Sequence, residues 1–259
     1  SVYIIIIQIS ILILTNCIYS QSSKFIKYST QMGLSSSNQR CIAQDKEGFI
    51  WIGTEDGLNR FDGHTFKVYR KNLDDSTSLQ SNIINCIYLD SKDELWIGTY
   101  AGGLSRYNKE TDDFYTYTSS IDDTNSLLSN EINTVAEDKY HQLWIGTTSP
   151  GLSKFIPEIN GFKHFLTSLS VTVDSTAFST YGINKIVPDG EILWIAQSSG
   201  VLTALNTTSM TFQHFKLFNV LSNQTADFSV NSLILDNNLI WISTSVSYTH
   251  LTLPTNREV

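Results

Sequence analysis

Phe49-Ile50-Trp51-Ile52-Gly53-Thr54-Glu55-Asp56-Gly57-Leu58-Asn59-Arg60-Phe61 sets two strand-like runs on either side of a short turn. Its centre, Trp-Ile-Gly-Thr, returns unchanged at Trp96 to Thr99 and at Trp144 to Thr147. Looser copies stand at Trp194-Ile195-Ala196-Gln197 and Trp241-Ile242-Ser243-Thr244. The five tryptophans are therefore spaced 45, 48, 50 and 47 residues apart. A fixed period in this range is the mark of a propeller or a repeat array, and it governs how every other motif is read.

Working outward from each tryptophan, four short β-like pieces recur. The first is Ile84-Asn85-Cys86-Ile87-Tyr88-Leu89, echoed by Ile132-Asn133-Thr134-Val135, Ile183-Asn184-Lys185-Ile186 and Val230-Asn231-Ser232-Leu233. It closes on an acid, Asp45, Asp90, Asp138, Asp189 or Asp236, whose side chain can bond the backbone of a tight turn. The tryptophan strand is second. The third follows a glycine that supplies the positive φ of a hairpin, as in Gly57-Leu58-Asn59-Arg60-Phe61, Gly103-Leu104-Ser105-Arg106-Tyr107 and Gly151-Leu152-Ser153-Lys154-Phe155. The fourth carries an aromatic pair, Phe66/Tyr69, Phe114/Tyr117, Phe162/Phe165 or Phe212/Phe215. Nothing between these pieces has a helical period. The expected fold is all-β, a β-propeller of four-stranded blades of about 47 residues over residues 25–244, with about five blades present as an incomplete part of a larger ring. Phe25-Ile26-Lys27-Tyr28 has the spacing of a fourth strand and is expected to complete the last blade of that ring.

Composition narrows the function classes. The 259 residues carry 17 Lys and Arg against 25 Asp and Glu, a net charge of −8, which argues against nucleic-acid binding. Residues 2–14 are an apolar run too short to span a bilayer comfortably; residues 1–20 read as a truncated signal peptide, the alternative being a buried strand. Cys17 falls in that leader, and Cys41 and Cys86, with no metal-like spacing, are expected to be buried apolar residues. Residues 247–259 lack the third-strand pattern and read as a non-repeat tail of foreign or frame-shifted sequence.

Leu127-Leu128-Ser129-Asn130-Glu131-Ile132-Asn133, the acidic turn, Leu143-Trp144-Ile145-Gly146-Thr147 and Gly151-Leu152-Ser153-Lys154-Phe155 resemble two-component regulator propeller repeats, and Gly33 to Tyr69 looks like the first such blade. The resemblance is specific through the third repeat and loosens in the fourth and fifth. It implies the periplasmic, extracytoplasmic sensor region of an inner-membrane hybrid histidine kinase of Bacteroidetes type. It further implies an oligosaccharide ligand, a homodimeric full-length sensor, and membrane attachment only through a C-terminal span outside this chain. Kinase, receiver and DNA-binding modules would lie there too. The fragment itself is then expected to be no enzyme and to take no cofactor.

The rival readings are an exported propeller glycoside hydrolase or lyase and a protein-interaction scaffold. Asp45, Glu47, Glu55, Asp56, Asp62, Asp90, Asp93 and Asp138 could in principle supply a catalytic carboxylate pair. Most of them recur at one turn position, however, whereas a catalytic pair would be single. Asp45-Lys46-Glu47-Gly48 is one residue too long between Asp and Gly for an Asp-box. His164 and His214 share one place in the aromatic strand and are expected to face solvent, and Asp74 to Ser78 and Asp122 to Ser126 are expected to be solvated loops that hold no calcium. No metal site is expected. The candidate ligand-binding residues are the non-repeating loop aromatics Tyr100, Tyr140 and Tyr181.

Overall fold

The computed structural model describes residues 26–148, 151–165, 182–216, 229–236, 239–245 and 248–252. Blade 1 is β1 (Gln39–Gln44), β2 (Ile50–Thr54), β3 (Gly57–Phe61) and β4 (Phe66–Tyr69); blade 2 is β5 (Ile84–Leu89), β6 (Leu95–Thr99), β7 (Leu104–Asn108) and β8 (Asp113–Tyr117). Blade 3 is β9 (Ile132–Glu137), β10 (Leu143–Thr147), β11 (Leu152–Ile156) and β12 (Gly161–Phe165). Blade 4 is β13 (Ile183–Asp189), β14 (Ile192–Gln197), β15 (Val201–Asn206) and β16 (Thr211–Lys216). Blade 5 contributes β17 (Val230–Asp236), β18 (Leu239–Thr244) and β19 (Tyr248–Thr252). Each sheet is an antiparallel meander, and neighbouring blades meet through their first strands, β1 on β5, β5 on β9, β9 on β13 and β13 on β17. The sheets do not close on themselves, so this is an incomplete β-propeller.

The core lies between the blades. Trp51, Leu58 and Tyr69 of blade 1 pack with Ile84, Leu95, Ile97, Tyr107 and Phe114 of blade 2, and the same set repeats with Trp96, Leu104 and Tyr117 against Ile132, Leu143, Ile145 and Phe162. Trp144 and Trp194 head the next two such clusters. Burying one indole removes about 150–250 Å² from water, roughly 4–6 kcal/mol of transfer free energy at most. Four tryptophans are at most 8% exposed, whereas Trp241, on the last blade described, is 46% exposed.

The invariant letters of Trp-Ile-Gly-Thr follow from this packing. A Cβ on Gly53, Gly98 or Gly146 would stand 2.6, 2.8 or 2.6 Å from Cγ2 of Ile84, Ile132 or Ile183, the first residue of the next blade. Blade 4 carries Ala196 instead, and the facing residue there is the shorter Val230 in the same cluster. The threonine hydroxyl closes the following hairpin: Thr54, Thr99 and Thr147 Oγ1 donate to the carbonyls of Gly57, Gly103 and Gly151 at 2.9, 2.9 and 3.2 Å. Those three glycines and Gly200 have φ of 118, 82, 105 and 76°, as their position after the tryptophan strand predicted.

Two departures from the sequence expectation appear. Residues 248–252, inside the stretch read as a non-repeat tail, pair with β18 in register and take the third-strand position of blade 5. Residues 26–29 form no strand. Yet the Tyr28 ring lies 4.7 Å from Phe61 and 6.0 Å from Phe66, the same relation that Tyr69 has to Tyr107 and Phe114 at 6.0 and 5.4 Å. Tyr28 thus fills, against blade 1, the place of a preceding blade's fourth-strand tyrosine. The expected signal peptide, residues 1–20, lies outside the described residues.

Candidate functional site

Antiparallel meanders give every blade two ends. The acidic end carries the turn between first and second strands; the glycine end carries the turn between second and third strands and receives the link from the preceding blade. At the acidic end, the repeated aspartates are consumed by structure. Asp45 Oδ1 accepts from the Glu47 and Phe49 amides while Oδ2 accepts from Trp51 Nε1 at 2.7 Å. Asp90 binds the Lys92 and Glu94 amides and Trp96 Nε1 at 3.0 Å, and Asp138 binds the Tyr140 and Gln142 amides and Trp144 Nε1 at 2.8 Å. A carboxylate so engaged cannot serve as a general base without breaking its turn. Blade 4 breaks the pattern: Asp189 pairs directly with Ile192 across a two-residue turn, and among the described residues the buried Trp194 Nε1 has no hydrogen-bond partner.

The glycine end holds a feature that sequence reasoning missed. Each first strand bulges there, the register skipping Arg40, Asn85, Asn133, Asn184 and Asn231. Asn85, Asn133 and Asn184 Nδ2 donate to the carbonyls of Ile132, Ile183 and Val230 in the next blade, at 3.1, 3.0 and 2.7 Å. Arg40 instead bonds Asn85 Oδ1 and Glu55 Oε1, both at 3.0 Å. The recurring Ile-Asn pair was the available signal.

Tyr100 and Tyr140 do not converge. Tyr100 follows β6 at the glycine end and is 49% exposed; Tyr140 lies in the acidic-end turn of blade 3, its hydroxyl 2.7 Å from Thr208 Oγ1. Tyr181 lies outside the described residues.

The Tyr140–Thr208 contact belongs to a series. Across blades 1 and 2 the same space is closed by Lys109 and Glu47 at 3.6 Å, with Arg60 Nη1 on the Tyr107 hydroxyl at 2.8 Å and on Asp112 Oδ1 at 3.5 Å. Asp112 also accepts from Lys67, Tyr69 and Tyr107. Burial pushes its carboxyl up, but these donors together outweigh burial and hold it down to about 2. Between blades 2 and 3 the corresponding residues are Lys92, Pro157, Arg106, Phe155 and Asn160. Among the described residues no bridge joins Lys92 to Pro157 or Glu158, and a groove of about 450 Å³ opens there. It is lined by Trp96 and Phe155 together with the charged or polar Glu94, Arg106, Glu137, His141 and Lys154. Arg106 lies over the Trp96 ring at 5.8 Å, and its Nη1 reaches Glu94 Oε1 at 3.4 Å.

The other sequence candidates resolve as follows. His164 and His214 are half-buried, not solvent-facing: their Nδ1 atoms lie 2.9 and 2.8 Å from Ser153 Oγ and Thr203 Oγ1 on the adjacent strand, and burial lowers both pKa values. Cys41 and Cys86 are free and partly buried, and burial pushes both thiols up to about 12. Asp75 and Asp123 cap their own loops, and among the described residues no group of three or more His, Cys, Asp or Glu could hold a metal ion.

Residues 33–56, 78–101 and 126–149 match the two-component regulator propeller family. Blades 1 to 3 each carry a segment similar to the two-component regulator propeller repeat. Each matched segment opens beside a buried leucine, Leu34, Leu79 or Leu127, and runs through the tryptophan strand. Over 62 residues, 23% of this chain and 4% of its relative, the sequence is 53% identical to histidine kinase P4 of Formosa agariphila. The fold is similar to the extracellular domain of a hybrid two-component system from B. thetaiotaomicron, with a TM-score of 0.73 and 28% identity over 88% of this chain and 30% of that one. A virginiamycin B lyase from Staphylococcus aureus shares the fold alone, at 13% identity and a TM-score of 0.53 over 86% of this chain and 73% of that one. The chain thus spans less than a third of the first two proteins. No helix among the described residues is long and apolar enough to cross a membrane.

Proposed function

We propose that this chain is part of the extracytoplasmic ligand-sensing region of a hybrid two-component histidine kinase, located in the periplasm, and that it binds oligosaccharides without turning them over. The observation that carries this is the match over 88% of the chain, at 28% identity, to an extracellular domain of a hybrid two-component system, with the three repeat matches behind it. The absence of turnover is supported by the acidic-end aspartates, whose oxygens are spent on turn amides and indoles. The lyase likeness, at 13% identity, supplies a shared fold alone. Tyr100 and Tyr140 are offered as ligand contacts at opposite ends of the blades, and dimerisation belongs to the full-length sensor.

The test is a glycan array on the chain, followed by chromatography of every bound oligosaccharide after prolonged incubation. The proposal expects binding with the glycan recovered intact. Cleavage products would favour a propeller hydrolase or lyase, and capture of a protein with no glycan binding would favour a scaffold.

A further inference from the structure

The interface between blades 1 and 2 is an internal template for the open groove between blades 2 and 3. Arg60 and Arg106 occupy one register position, paired across the strands with Trp51 and Trp96, and each guanidinium lies over its indole at 5.7 and 5.8 Å. Arg60 is completed by the neighbouring blade, with a phenolic hydroxyl from Tyr107 at 2.8 Å and a carboxylate from Asp112 at 3.5 Å. The residues at those two places opposite Arg106 are Phe155 and Asn160. Phe155 has no hydroxyl, and Asn160 is turned to the Tyr117 and Tyr115 hydroxyls at 2.6 and 3.2 Å. Arg106 is left with the long contact to Glu94 of its own blade, and among the described residues no group of blade 3 bonds its guanidinium. The bridge that would close the groove over it is missing as well, because Pro157 stands where Lys109 does in blade 2.

We infer that this groove is a binding site for a sugar unit bearing a carboxylate, a uronic-acid residue, whose carboxylate supplies to Arg106 the anionic partner that Asp112 supplies to Arg60. The inference rests on the sensing function proposed above and names the site and the ligand chemistry. The dimensions suit it: about 450 Å³ lies within the range of small-molecule sites, about 300–1,000 Å³. Phe155, partly buried against Trp96, Tyr117 and Phe162, gives the groove an apolar lining, and guanidinium binds carboxylate through paired charge-assisted hydrogen bonds. Of the acids lining the groove, Asp90 is held by two amides and an indole and Glu137 by the Ser91 amide and hydroxyl and by His141, whereas Glu94 pairs with Arg106 at 3.4 Å and is the carboxylate that the ligand displaces.

Calorimetric titration of the chain with digalacturonate and with a glucuronate-containing disaccharide, each against its neutral counterpart, tests this. At least one uronate disaccharide should bind about tenfold or more tighter than its neutral counterpart, and Arg106→Gln should weaken it about tenfold or more. A second variant, Phe155→Tyr with Asn160→Asp, rebuilds the blade 1 arrangement. It should weaken uronate binding as strongly while the melting temperature stays level or rises. Uronate binding untouched by both variants, or no uronate binding at all, overturns the inference. Equal binding of neutral disaccharides overturns the carboxylate and leaves the sensing function standing; silence of the whole glycan array removes both.

Discussion

Replacing Gly98 by alanine separates two opposite expectations. Gly98 sits in β6 with an ordinary strand backbone, so on conformational entropy alone alanine would stabilise the fold by about 0.4–1 kcal/mol. The space says otherwise. The added carbon would stand 2.4 Å from Cys86 Sγ and 2.8 and 3.0 Å from Cγ2 and Cβ of Ile132, where nonbonded carbons settle at about 3.5–4.0 Å. Relief of roughly 1 Å is needed on two sides at once, against Cys86 on the paired strand of the same blade and Ile132 of the next blade. Overpacking of this kind costs about 1–3 kcal/mol, and a net loss of about 2 kcal/mol is expected from the urea midpoint at unchanged slope. Blade 4 shows the remedy, Ala196 facing Val230. Ile132→Val removes the outer methyl and lets the branched carbon withdraw; alone it should cost about 0.5–1.5 kcal/mol, but in the Gly98→Ala background it should cost nothing or recover stability. A coupling of at least about 0.5 kcal/mol is therefore expected. A Gly98→Ala variant as stable as the parent, or two strictly additive changes, would refute the idea that this glycine exists to admit the neighbouring blade.

Three further outcomes are expected. Asp138→Ala strips two turn amides and the buried Trp144 indole of their acceptor and should cost about 2–4 kcal/mol in urea unfolding, while Asp189→Ala, whose Trp194 already lacks a partner, should cost less than about 1 kcal/mol. Asp112 has a folded-state pKa of about 2, below its unfolded value of about 3.9, so its contribution is present above pH 4 and lost as the pH falls toward 2. Circular dichroism across that window should show a shallower acid loss of stability for Asp112→Asn than for the parent. With thiols pushed up to about 12, Cys41 and Cys86 should react slowly with Ellman's reagent at pH 8 in the folded chain and rapidly once urea unfolds it.

Contacts within one hairpin were legible in the sequence: the aspartate that caps a turn, the glycine with positive φ, and the tryptophan between them are all fixed by residues fewer than seven positions apart. Contacts between blades were not. The bulged asparagines looked like ordinary strand residues, because their partner is a carbonyl some 47 positions away in Ile132, Ile183 or Val230. The groove at Arg106 was hidden for the same reason. Arg60 and Arg106 read alike, and only the pairing of each with the following blade separates a closed interface from an open one. His164 and His214 turned inward because a serine or threonine faces them across the strand pair, a register detail that a lone aromatic strand does not disclose. The third strand of blade 5 escaped since Tyr248 to Thr252 lacks the glycine and basic-aromatic letters of its counterparts, and backbone pairing needs neither.

The most direct measurement of the sensing account is made in cells carrying the intact gene from which this chain comes, with a transcriptional reporter under its control. Addition of the uronic-acid oligosaccharide selected by calorimetry should raise the reporter in the parent strain. The Arg106→Gln strain, with the sensor at equal abundance, should require about tenfold more of the oligosaccharide for the same response. An identical dose response in the two strains would contradict the account at the groove, and a reporter that answers no oligosaccharide would contradict it at the level of sensing.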